Sequence, residues 1–141
     1  MVFDMAPGPD DGALVVWRDD DMPSGASGGR VMRAVLRPSG IDPPSVLLDD
    51  LAGAGVPNLV GGWLAVADAA DATRLAPISA AGVLGGPPAP EPDIGTGEPI
   101  AAVSDTLLVV RPAGRAVRLV VVKCKADAPP PDAAPLPDAA P

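Results

Sequence analysis

Apolar residues along this chain come in short runs bounded by glycine and proline. Ala13–Trp17 (ALVVW) ends in an aromatic and predicts a strand. Gly62–Ala67 (GWLAVA) predicts another. Arg74–Ser79 (RLAPIS) reads as an edge strand, because Pro77 has no N–H to give a central ladder. Arg30–Arg37 (RVMRAVLR) has two readings. Arg30, Arg33 and Arg37 would share a helical face, but a glycine pair precedes the segment and Pro38 follows it, so the strand is preferred.

One segment carries a helical signature. In Ile41–Gly55, Asp42 is placed to accept from unpaired N–H groups of a first turn, and Pro43 suits the first helical position. Val46, Leu47, Leu51 and Ala54 would lie near one face, with Asp49 and Asp50 on the wet side. Gly53 or Gly55 could end the helix, and Pro57 blocks its continuation. The spacing therefore predicts one short helix.

The clearest element is a hairpin. Thr106–Arg111 (TLLVVR) and Arg115–Lys123 (RAVRLVVVK) are β-branched runs around a three-residue turn, Pro112–Ala113–Gly114. Leu119–Val122 is apolar without interruption. A strand wet on one face alternates, so this run predicts cover on both. The core would supply one side. A loop of the same chain, or a neighbouring subunit, would supply the other, and cover from within the chain is preferred.

The remaining segments are irregular by composition. Residues 1–12 read as an acidic N-terminal arm, Asp19–Gly29 as a loop, and 80–99 as a long Gly/Pro-rich loop containing GGPPAPEPD. Ala126–Pro141 repeats PDAAP and holds too little apolar area to offset its ordering entropy, which predicts an extended tail. The organisation is thus an arm at 1–12, a β domain at 13–125 and a Pro/Ala/Asp-rich tail at 126–141. The fold class is mainly β: a small antiparallel sandwich or barrel-like domain with one short helix, long Gly/Pro loops and extended terminal arms.

Composition adjusts this picture. Gly 16 and Pro 20 among 141 residues disfavour a helical bundle. Hydrophobic residues reach 48%, but aromatics only 2% (Phe3, Trp17, Trp63), so the core must be built from Val, Leu and Ala. Such a core buries little area per residue, and contacts with partners would add to its stability. The abundance of Ala, Gly, Pro, Asp, Val and Arg, with Gln absent, matches GC-rich codons and suggests a GC-rich bacterium or its virus.

Charge is uneven. The net charge is -8, yet Arg111, Arg115, Arg118, Lys123 and Lys125 form a basic stretch free of acids. Asp4, Asp10, Asp11, Asp19, Asp20 and Asp21 face a single Arg18 in the first 29 residues. An acidic end and a basic strand can meet head to tail between copies. The overall negative charge argues against direct nucleic-acid binding.

Candidate chemistry is thin. The chain has no histidine and no tyrosine, so the usual general base and commonest metal ligand are missing. Cys124 is alone and cannot form an internal disulfide; its lysine neighbours would lower a thiol pKa, but it reads as inert. Gly53–Gly62 lacks the third glycine of a phosphate loop and carries Pro57. Asp19–Asp21 have no glutamate at calcium-loop spacing. A glycosidase cleft would need stacking aromatics, and no serine sits in a nucleophile-elbow context. No secretory signal is seen, and no apolar run is long enough to span a membrane.

These observations lead to one expectation: a non-enzymatic structural component of a large assembly, needing no cofactor or metal. The specific expectation is a virion accessory protein, such as a capsid decoration (cement) protein or a small head or tail component. It would be located in a virion or a cytoplasmic assembly. Its partners would be other protein subunits, copies of itself among the candidates. The expected contact residues are Arg111, Arg115, Arg118, Leu119, Val121 and Lys123 on the hairpin, and Pro131, Pro135, Leu136 and Pro137 in the tail. The alternative is a stand-alone β module binding a glycan or peptide through the 80–99 loop and Trp63 or Trp17.

Overall fold

Short apolar runs broken by glycine and proline yield short antiparallel strands. The computed structural model describes residues 3–19, 29–51, 57–67, 72–104 and 106–123, and all regular elements among them are strands. The first sheet contains β1 (Phe3–Pro7), β2 (Ala13–Asp19), β3 (Gly29–Arg37) and β4 (Gly40–Ile41) in that order, with β5 (Ser45–Leu51) also paired to β3. The second contains β6 (Asn58–Val60), β7 (Trp63–Ala67), β8 (Ala72–Pro77) and β9 (Ala89–Gly95) in sequence order. The third contains β10 (Ile100–Val103), β11 (Thr106–Ala113) and β12 (Ala116–Lys123), again in order. Among the described residues no helix is long and apolar enough to cross a membrane.

The three sheets stack. Leu14, Val16, Val31 and Val35 of the first sheet pack with Leu64 and Val66 of β7 and with Ile78. On the other side of the second sheet, Ala65, Leu75 and Ile94 pack with Leu107, Val109 and Val122 of the third. Successive residues of a strand point to opposite faces. Leu64 and Val66 therefore face one neighbour while Ala65 faces the other. The expectation of a mainly antiparallel β protein is met, in three layers around a central sheet covered on both sides.

The expected helix is not there. Its segment forms β4, a connection through Pro43 and Pro44, and β5, which pairs with β3 through Arg33–Ser45, Met32–Val46 and Val31–Leu48. The physical reasons lie in the residues themselves. Consecutive prolines hold the chain extended where the first turn should form. Asp49 and Asp50 would sit toward the negative end of the helix dipole. A helix this short gains little alone, whereas β5 extends a sheet and lets Leu47 and Leu48 pack on the core. Asp42, the expected cap, instead pairs with Arg37. Residues 52–56, where the helix was to end, lie outside the described residues.

Four further expectations change. The N-terminal segment read as irregular forms β1, joined to β2 by a tight turn over Pro9–Gly12. Asp10 and Asp11 both take positive φ (55° and 57°), and the Gly12 N–H donates to the Pro9 carbonyl at 2.9 Å. That is the turn whose twist suits a hairpin. The supposed edge strand around Pro77 is interior, between β7 and β9, but β9 pairs only as far as Leu75, so the missing N–H of Pro77 leaves no gap in the β9 ladder. The 80–99 loop contains β9 and an isolated bridge between Ile78 and Leu84. Among the described residues no second layer lies over Leu119–Val122, as described below.

Candidate interaction surfaces

The β11–β12 hairpin forms as its composition predicts, with a tighter turn. Ala113 pairs with Ala116, leaving Gly114 and Arg115 as a two-residue connection, and Gly114 sits at φ 63°. Pro112 belongs to β11 and lies opposite Val117. It is tolerated because β10 ends opposite Val109, leaving β11 with one neighbour there.

Residues paired across antiparallel strands share a face, so the register maps both sides of the third sheet. Ala102–Leu107–Val122 and Ile100–Val109–Val120 point into the second core. Ala101–Leu108–Val121, Val110–Leu119 and Pro112–Val117 point away. Val117 (69%), Leu119 (57%) and Val121 (56%) are exposed on that outer face. Among the described residues, the run Leu119–Val122 is covered by the core on one side, and none of them covers the other side. No polar alternation along Leu119–Val122 distinguishes the two sides.

The hairpin's cations divide. Arg111 donates from Nη2 to Glu98 Oε2 at 2.9 Å and to the Asp93 carbonyl at 3.1 Å. Glu98 also accepts from the Gly95 N–H at 2.7 Å across the β9–β10 turn. The Arg111 guanidinium, then the Gly95 N–H, holds the Glu98 carboxyl at about 2, well below the ordinary carboxylate range. Arg111 lies directly opposite Arg118, a repulsive arrangement that Glu98 offsets. Arg111 is thus committed within the fold and acts as a strut. Arg115, Arg118 and Lys123 are exposed. Lys123 alternates onto the outer face with Leu119 and Val121, Arg115 sits in the turn, and Arg118 lies beside Arg111 on the opposite side of the sheet. The expected contacts at Pro131, Pro135, Leu136 and Pro137, like Cys124, lie outside the described residues.

A second outer face went unread in the sequence. In the first sheet, Phe3–Trp17–Met32–Val46, Met5–Val15–Ala34 and Pro7–Ala13–Leu36–Ile41 form three apolar rows. The alternate residues Leu14, Val16 and Val35 face the first core, so these rows face outward, with Ala34 buried between its neighbours and Trp17, Met32 and Leu36 half-buried. Phe3 (56%) and Met5 (53%) are exposed, with Ile41 and Val46. The signals available were the alternation in FDMAP and the Asp-Gly turn that follows it. Asp4, on the inner side, accepts from the Leu59 N–H at 2.7 Å and ties β1 to the central sheet.

Concave features are modest. A cleft of about 260 Å³ lies between the start of β6 and the β9–β10 turn, lined by Asn58, Ala65, Thr73, Thr96, Glu98 and Ile100. Among the described residues no group of three or more His, Cys, Asp or Glu is placed to hold a metal ion. The two tryptophans do not combine: Trp63 packs on the second core, and Trp17 belongs to the outer face of the first sheet. No protein-family model matches the chain, and no curated protein or solved structure is similar to it.

Proposed function

We propose that this chain is a non-enzymatic structural component of a large protein assembly, specifically a virion accessory subunit such as a capsid decoration protein or a small head or tail component. One observation carries the reading. Among the described residues, every large apolar side chain that is exposed, except Val83, lies on the outer face of the first or third sheet. Contiguous apolar patches on sheet faces mark sites of contact. The central sheet, already covered on both sides, holds these faces apart on a rigid spacer. The GC-rich residue bias and small size fit a viral accessory subunit.

Isolation of native particles tests the proposal. The chain should be recovered at fixed stoichiometry within a large particle, and imaging should place an outer sheet face against another subunit. Recovery as a free monomer that turns over a substrate, or that binds a glycan or peptide through Trp17, would overturn it in favour of an enzyme or a stand-alone binding module.

A further inference from the structure

We infer that the outer face of the third sheet is covered by the outer face of the first sheet of a second copy, so that chains stack head to tail. This rests on the assembly reading above and names its partner. The two faces lie on opposite sides of the central sheet, since β7 sends Leu64 and Val66 toward the first sheet and Ala65 toward the third. One contact between copies would cover both. It would also repeat the sheet-on-sheet packing already present twice within the chain.

Shape and charge agree. With strands about 4.8 Å apart and same-face residues about 6.8 Å apart, each face projects to roughly 400 Å². The faces match in extent, and together, at about 800 Å², they fall in the weak, reversible size range. The outer face of the third sheet is bordered by Arg115 in the turn and by Lys123, and β11–β12 carry no acid. The first-sheet end holds Asp4, Asp10, Asp11, Asp19, Asp42 and Asp49 against Arg18, Arg30, Arg33 and Arg37. The internal ion pairs engage both signs, Arg30 with Asp19 and Arg37 with Asp10 and Asp42, so the end keeps the net negative balance of six carboxylates against four guanidiniums. A pairing of two third-sheet faces would instead place two basic rims together, which costs stability.

Sedimentation of the full chain over a wide concentration series tests this. Wild type should form species larger than a dimer as concentration rises, because a head-to-tail contact leaves one of each face open unless a ring closes. Leu119→Asp with Val121→Asp should weaken self-association at least about tenfold, as should Met5→Asp alone. Circular dichroism confirms folding, and Leu119→Ser with Phe3→Ser serves as a milder pair. Mixing the two blocked variants is the decisive arm. Each retains the face that the other lacks, so the mixture should give a one-to-one dimer and stop there. Raising salt from about 0.05 to 0.5 M should weaken that dimer several-fold. A Met5→Asp variant that still dimerises alone would overturn the inference in favour of like-face pairing. A wild type that stays monomeric throughout would also overturn it. If that monomer is still recovered in native particles, the assembly reading survives; if it is not, both fall.

Discussion

β7 and β12 look alike in sequence and differ in fate. Both are continuous apolar runs, WLAVA and LVVV. β7 lies at the centre of the stack, where Leu64 is wholly buried against the first sheet and Ala65 against the third. β12 lies at the end of the stack and at the margin of its own sheet. Val120 and Val122 turn inward, while Val117, Leu119 and Val121 are exposed. An unbroken apolar run thus records a demand for cover on two faces. The demand is met within the chain for β7 and left open for β12. The outer rows of the first sheet are the same unmet demand in alternating form.

Perturbing the two strands separately should expose this difference. Val66→Asp, placing an unpaired carboxylate at a position that is 2% exposed, should cost more than about 4 kcal/mol and abolish folding, as followed by circular dichroism. Leu64→Ala should lower unfolding free energy by about 2–5 kcal/mol in denaturant titrations, through lost transfer energy and the cavity left behind. Gly114→Ala should cost about 1–2 kcal/mol, because the turn holds a positive φ that a Cβ disfavours.

The Glu98 strut adds a pH arm. Its folded pKa lies below its unfolded value, so its contribution is fully present above about pH 4.5 and is lost as pH falls toward about 2. Glu98→Gln should therefore flatten the fall in stability across that window, and a variant with the wild-type profile would remove Glu98 from the account. Smallest of all, Leu119→Ser should change the stability of the dilute monomer by about 0.5 kcal/mol or less. A large effect on the monomer would mean that β12's outer face is covered after all.

Sequence reasoning reached some elements and missed others for identifiable reasons. The β11–β12 hairpin was legible because β-branched runs and a glycine turn agree. β2, β3 and β7 were legible as bounded apolar runs. β5 was misread because capping residues and spacing satisfied a helix locally, while the vacant edge of β3 decided for a strand. β9 was hidden by its prolines, which a sheet margin tolerates. On the outer face of the third sheet, Leu119 and Val121 were legible as an apolar strand beside a charge run. Arg111 was not separable from its neighbours, because its partner Glu98 is distant along the chain and meets it only through the β9–β10 turn. The Phe3–Trp17–Met32–Val46 row was invisible for the same reason: four strands contribute one residue each.

By itself, the sequence determined that this protein is built of short antiparallel strands, with an aliphatic core, an acidic beginning and a basic hairpin. Those properties are local, set by β-branching, by turn residues and by charge. Only the tertiary structure decided which faces are buried, because register and stacking order depend on contacts between distant segments. Stacking three sheets covers the inner faces of the described strands and leaves two apolar faces exposed at the ends.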